Sequence, residues 1–354
     1  MRTLEQIADD SGFSISTISR VLHGRDDVSE KTRERVLDAL QRARYSLASK
    51  PTRRGRPARA ELKSRDVKPK TIAIVCDSHA EVRRNPFAAP ILTAALEASP
   101  PDRATLVAVD WPVGHASPPE ALSAADAAIT ICFTPQHLAR LAETIPVVTT
   151  DVYIPGSGCD GVVPDYRRGA FDAVSALLAR GHTRISLTSA RRGSGDSFEL
   201  EIYDGARRAL ELAGVAPWEH FVAGYAATPE EGHAMATRLL SEPLDKRPTA
   251  LFGSDHGMLG ALRAAHDLNI RVPEQLALIG VDDIELSRYS VPRLSTVRVE
   301  KEAIARTAVD RALWRISNRS APTCRLVVDC AFIQRDSCGT KPQGSGARGQ
   351  GSEQ

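Results

Sequence analysis

The chain has 354 residues, with 46 Lys and Arg against 44 Asp and Glu, and a net charge of +2. That length suits two or three domains, and no uninterrupted apolar run reaches the length of a membrane span. Six scattered cysteines (Cys76, Cys132, Cys159, Cys324, Cys330 and Cys338) form no C-x-x-C pair, which argues against a disulfide scaffold and for free thiols in a reducing cytosol. The start MRTLEQ is polar, so no secretory signal is expected. Charge is uneven: residues 1–70 hold 17 Lys and Arg against 10 acids, and the remainder 29 against 34. A basic head on an acidic body suits a polyanion at one end only.

In chain order, the stretch from Leu4 to Tyr45 reads as three short helices. Leu4, Ile7 and Ala8 fall on one face of the first. Gly12 and Phe13 break the pattern, and Ser14 can cap a second helix through its hydroxyl. Ile18, Val21 and Leu22 point inward there, leaving Ile15, Ser16, Ser19 and Arg20 outward. After the turn from His23 to Asp27, Ser29 can cap a third helix with Val36, Leu37, Leu40 and Ala43 inward. Two helices joined by a tight turn and followed by a third make the helix-turn-helix plan. A generic three-helix bundle with a solvated polar face is the plainer reading of the same periodicity.

The string itself resembles the DNA-binding headpiece of the lactose/galactose-repressor (LacI/GalR) family. The resemblance runs through Leu4, Ile7-Ala8, Gly12, Ser14, Thr17 to Leu22, Val28 to Arg33, Arg35-Val36 and Tyr45. It implies a lambda-repressor-like helix-turn-helix domain over 1–46 with DNA contacts from Leu4, Ser14, Ile15, Ser16, Thr17, Ser19, Arg20 and His23. In that scheme Ile15 and Ser16 choose bases, Arg20 reads a guanine, and Ser14, Thr17, Ser19 and His23 hold phosphates. Ile15 offers only methyl contacts, for which the thymine methyl is the natural partner.

Residues 47–70 form a basic linker. Over 46–70 it carries nine Lys and Arg against two acids. The family places a short hinge helix here, with a leucine wedged into the minor groove. This sequence departs from it: Pro51 and Gly55-Arg56-Pro57 oppose a continuous helix, and Arg54 falls near the leucine position. Arg53-Arg54-Gly55-Arg56-Pro57 resembles an AT-hook core, whose arginines lie in a narrow A·T minor groove. A flexible linker touching phosphates indiscriminately is the other reading, and the two stand side by side.

From Thr71 apolar runs alternate with helical stretches. Strands are expected at Thr71–Cys76, Leu106–Val109, Ala128–Phe133, Val147–Thr150, Ile185–Thr188, Thr249–Phe252 and Leu276–Val281. Helices are expected at Phe87–Ala98, Pro135–Glu143, Arg167–Arg180, Phe198–Ala213, Pro229–Ser241 and Gly257–Leu268. The pattern gives an α/β body of doubly wound parallel sheets, long enough for two lobes. The family resemblance continues through Asn85-Pro86-Phe87, Gly181 to Ile185, Asp204 to Leu210, Arg247 to Ala250, Arg271 to Glu274, Ile279 to Ile284 and Leu294 to Val297. It implies a periplasmic-binding-protein-like effector and dimerisation domain over 71–337. Its lobes would be 71–163 plus 293–321 and 164–292 plus 322–337, with crossings near Val163, Val291–Ser295 and Pro322. The tail over 338–354, rich in Gly, Ser and Gln, reads as disordered and lacks a leucine heptad, so a homodimer is expected.

A small-molecule effector would sit between the lobes at the carboxyl ends of the strands. By resemblance, Phe87, Asp165, Arg191, Ser254, Asp255 and Asp282 are its candidate contacts. Phe87 stands for an apolar wall, Asp282 for a carboxylate accepting ligand hydrogens, and Ser254 for a common asparagine. Ile202 occupies the position of a clamping arginine, and Ala227 that of an aromatic platform. Three readings follow: a different ligand with Arg191-Arg192 supplying charge, a weakly held neutral sugar, or no ligand at all. Phe87 can also be read as core, and Asp282 as a structural cap.

Enzyme motifs are not found. Gly193-Ser194-Gly195 is followed by no third glycine of a dinucleotide fingerprint. There is no Walker lysine motif and no G-x-S-x-G elbow. The histidines show no metal spacing. No catalytic residue, cofactor or metal is expected. The expectation is therefore a cytoplasmic, sequence-specific transcription regulator, repression being the family's commoner outcome. It would bind a near-palindromic double-stranded operator as a dimer, with no membrane partner. The alternatives are an architectural minor-groove binder without effector and a small-molecule-binding protein without DNA function.

Overall fold

The structure is a computed structural model and describes residues 8, 11–22, 28–42, 69–115, 117–133, 135–188, 197–215, 223–224 and 226–339. It divides into two compact units, residues 1–65 and 66–354.

In the first unit, α1 (Ile15–Leu22) and α2 (Glu30–Arg42) are described. Both begin as the serines dictate: Ser14 Oγ accepts the Thr17 amide at 3.1 Å, and Ser29 Oγ accepts that of Thr32 at 3.3 Å, each satisfying an orphan donor of a first turn. Gly12 turns the chain with φ +71° and donates to the Ala8 carbonyl. Ala8, Ile18, Val21, Val36 and Leu40 form the core, with Phe13 and Val28 against it. Leu37, expected inward, is half exposed. Val36 and Leu40, four apart, already fill the inner stripe, and Leu37 lies one step round the helix from it.

The second unit begins with β1 (Lys70–Cys76), α3 (His79–Val82), α4 (Ala88–Ala98), β2 (Ala104–Asp110), β3 (Ala127–Thr130), α5 (Pro135–Thr144), β4 (Val147–Thr149) and β5 (Asp160–Pro164). Then come α6 (Tyr166–Leu178), β6 (Ile185–Leu187), α7 (Ser197–Leu212), α8 (Pro229–Leu240), β7 (Ala250–Phe252), α9 (Asp255–Asp267) and β8 (Ala277–Asp282). The chain closes with β9 (Ser295–Val299), α10 (Lys301–Ser317), β10 (Arg325–Val328) and β11 (Cys330–Ile333). One sheet has the order β10-β5-β4-β3-β1-β2 and is parallel throughout; the other has the order β11-β9-β8-β7-β6. Central strands β1, β3 and β4 are almost wholly buried, whereas the edge strand β2 buries only Ala104 and Val109 fully, with Val107 partly exposed.

The sheet order fixes three crossings. The chain leaves the first sheet after Pro164, returns between Val299 and Lys301, and leaves again between Val328 and Cys330. The second and third lie later than Val291–Ser295 and Pro322, because β9 pairs in register with β8 and β10 with β5. So 295–299 belongs to the second lobe and 325–328 to the first. β11 runs antiparallel to β9, and a single residue, Asp329, separates it from β10 in the other sheet. The body also extends past 337. Cys338 is buried beside Ser295 Oγ at 3.2 Å; the rest of the expected tail, 340–354, lies outside the described residues.

Buried charge locks these returns. Asp160 is fully buried and receives Arg311 Nε at 2.7 Å, Arg315 Nε at 2.9 Å and the Cys324 amide at 2.8 Å. It thereby ties β5, α10 and the entry to β10. Glycine allows the closest approaches: a Cβ on Gly205 would lie 2.1 Å from the Arg167 carbonyl oxygen, and one on Gly280 would meet Asp255 Oδ1 at 1.7 Å.

Candidate functional site

Every crossing leaves the carboxyl ends of the parallel strands of both sheets facing the gap between the lobes, where doubly wound folds take ligands. A cavity of about 290 Å³ lies there. The first lobe lines it with Asn85, Pro86, Phe87, Cys132 and Asp151; the second with Tyr166, Ile202, Ala227, Ser254, His256, Val281 and Asp282. Phe87 precedes α4, whose start is tied down by Asn85 Oδ1 accepting the Phe87 and Ala88 amides. Cys132 and Asp282 follow or end their strands with φ of +46° and +109°, and Asp283 continues at +49°. Non-glycine residues in this region store strain of the kind that gathers at functional sites.

The electrostatics are acidic. Burial, seconded by the charge of Asp77, pushes the Asp151 carboxyl up to about 7 against the pull of backbone amides at Asp151, Cys132 and Val152. Its Oδ1 is buried without a hydrogen-bond partner. Burial likewise pushes Asp282 up to about 6, partly offset by Lys301. The Lys301 ammonium donates to the Asp282 carbonyl oxygen and lies 5.8 Å from the centre of the Phe87 ring. Burial raises Tyr166 and lowers His256.

Of the effector candidates, Phe87, Ser254 and Asp282 come together on this cavity. Ser254 is also the N-cap of α9: its hydroxyl accepts the Gly257 amide at 3.0 Å and donates to the Ala226 carbonyl at 2.6 Å. Asp255 is not among the lining residues. It is fully buried and engaged by Thr296 Oγ1 at 2.6 Å, the Ile284 amide at 2.8 Å and Ser287 Oγ at 2.7 Å. Asp165 is absent from the lining too, because its carboxylate caps α6 through the Arg168 amide at 2.9 Å. Arg191 lies outside the described residues. Sequence reading missed Asp151, Tyr166, His256 and Cys132. Asp151 and Cys132 carried a usable signal, each standing at the carboxyl end of an expected strand.

Elsewhere in the first lobe, Cys76, His79 and Asp110 each bring a potential ligand atom within 4.8 Å of the others. His79 Nδ1 and its backbone amide both meet Asp110 Oδ1, at 2.6 and 2.7 Å, which accounts for the cluster as a clasp between α3 and the end of β2.

In the first unit, Arg20 stands exposed near the end of α1. The Ser14 and Thr17 hydroxyls lie 2.8 Å apart. The side chains of Ile15, Ser16 and Ser19 lie outside the described set, as do Leu4, His23, Arg53, Arg54 and Arg56.

Comparison with known proteins adds two matches. Residues 3–46 match the bacterial regulatory proteins of the lacI family, and residues 174–338 a periplasmic binding protein-like domain. The chain is 27% identical to the ribose operon repressor of Haemophilus influenzae, over 95% of this chain and 98% of that one. It is 26% identical to the transcriptional repressor PurR of Proteus mirabilis, over 97% and 98%. Among solved structures it resembles the transcriptional regulator CelR in complex with cellobiose, at 26% identity and a TM-score of 0.65, covering 95% of this chain and all of that one. The lac repressor dimer bound to operator shares the fold at 21% identity and a TM-score of 0.63, over 96% of this chain and 99% of that one.

Proposed function

Since the chain belongs to the LacI family of bacterial regulatory proteins, we propose that it is a sequence-specific DNA-binding transcription regulator, a repressor, that acts as a homodimer under a small-molecule effector. The observation that carries this is a capped α1 presenting Arg20 in a chain that also builds a ligand-sized cleft. In this reading the DNA surface comprises Leu4, Ser14, Ile15, Ser16, Thr17, Ser19, Arg20 and His23, with Arg53, Arg54 and Arg56 of the linker in the minor groove. Arg20 forks onto guanine O6 and N7. Two headpieces related by a two-fold axis read half-sites about one helical turn apart. Such work belongs in the cytoplasm, and no catalytic step enters it.

The effector bridges Phe87 and Asp151 of one lobe and Ser254 and Asp282 of the other, so occupancy favours lobe closure. A ligand with different affinity for two body geometries must shift DNA affinity by the same factor that DNA shifts its own. Selecting genomic fragments on the purified protein tests the reading. The expected product is a near-palindromic motif; fragments with no common sequence would leave only non-specific binding.

A further inference from the structure

The cleft's charge and shape together restrict what fills it. Resting on the regulator reading above, we propose that the effector is a small cation, an amine or amino sugar of about monosaccharide size, whose ammonium is held by Asp151 and Asp282 from opposite lobes.

Three features carry this. First, the charged side chains of the described lining are these two carboxylates; no Lys or Arg is among them. Lys301 is turned to other work, its ammonium committed to the Asp282 backbone carbonyl and the Phe87 ring face. Second, Asp151 Oδ1 is buried with no partner, and a buried carboxylate oxygen calls for a donor or a cation. Third, other polar groups of the lining are spent on the fold: Ser254 Oγ on Gly257 and Ala226, Asn85 Oδ1 on Phe87 and Ala88. Ile202 closes one side with hydrocarbon. Tyr166 adds aromatic surface of the kind that attracts cations. The volume of about 290 Å³ is at the small end of ligand sites.

The titration of the cleft agrees. Burial raises Asp151 to about 7, and Asp282 to about 6 even with Lys301 partly offsetting it. The groups around them are Asp77, Cys132, Tyr166, Lys301 and His256. A bound ammonium relieves this field, whereas a phosphate or carboxylate deepens it.

Isothermal titration of the full-length dimer at neutral pH tests the class. The probes are glucosamine, galactosamine and mannosamine with their neutral hexoses, putrescine with 1,4-butanediol, and glucose 6-phosphate. At least one amine is expected to bind about tenfold or more tightly than its neutral counterpart, the scale of one charge-assisted bond. Asp151→Asn and Asp282→Asn each reduce that preference to about threefold or less while melting cooperatively. Tighter binding of a neutral probe or of the phosphate, the latter lost in Arg191→Ala, overturns the proposal. So does a preference surviving both Asn variants, or no amine binding up to about 10 mM. Operator binding in the same samples separates the failures. If operator is held while amines are not, the ligand class falls alone; if operator is not held, the regulator reading falls by itself.

Discussion

Arg20 and Asp160 show how differently one side chain can matter. Arg20 is exposed, so Arg20→Ala leaves the melting temperature within about a degree, while a lost bidentate base contact costs about 1–3 kcal/mol of discrimination. Anisotropy titrations on the selected operator and on a variant at the contacted guanine check this: the mutant binds both alike. Asp160 works through stability. Burial opposes its charge, but the Arg315 and Arg311 guanidiniums hold its carboxyl below the usual range. Asp160→Ala strands the buried Arg315 and the partly buried Arg311 and is expected to cost about 3–5 kcal/mol in denaturant melts. The signs of pH dependence are opposite in the two lobes' gap and at this lock. Asp160, depressed when folded, gives stability that is present above the ordinary aspartate range and lost in acid. Asp151 and Asp282, raised to about 7 and 6, bind more protons folded than unfolded. They favour the fold at low pH and that contribution is lost as pH rises through their folded values. Asp151→Asn and Asp282→Asn therefore flatten the fall in melting temperature between about pH 4 and 7; an unchanged slope in both counts against the buried-carboxylate account.

At the scale of elements, local chemistry reads well and long-range pairing does not. The caps at Ser14 and Ser29 were legible because a hydroxyl before an apolar helical stripe has one good use. Removing either hydroxyl with Ser→Ala should cost about 1 kcal/mol of headpiece stability, measured on the isolated transition of residues 1–65 or by hydrogen exchange. Strands β1, β3, β4, β7 and β8 showed as apolar runs because both faces are covered. β10 was hidden by its open edge, with alternate residues exposed. α10 was hidden too: its inner face is mostly alanine beside Lys301 and Arg315, a weak periodic signal. The crossings were misplaced for the same reason, since nothing local in Ser295–Val299 or Arg325–Val328 says which sheet will pair with it. In the cleft, Phe87 and Asp282 were reached through resemblance, whereas Asp151 owes its character to burial and Asp255 its structural role to three donors from distant sequence. The linker makes its own prediction. Arg54→Ala with Arg56→Ala should weaken binding to operators with A·T central steps more than to those with G·C steps; equal losses would leave phosphate contacts alone.

For the whole molecule, headpiece and body matter only through linkage. An effector that closes the cleft must change operator affinity, and operator must change effector affinity by the same factor. Where the effector is an amine, its uptake near pH 6.5 also releases protons from Asp151 and Asp282. Calorimetry in two buffers of different ionisation enthalpy reads that release as a difference in apparent heat, and equal heats would contradict it. All of this presupposes that the protein tells one DNA sequence from another. The direct test is the ratio of its affinities for the selected operator and for a scrambled duplex of the same composition, at physiological salt. The account predicts a ratio of about 10³ or more; a ratio near one would contradict it.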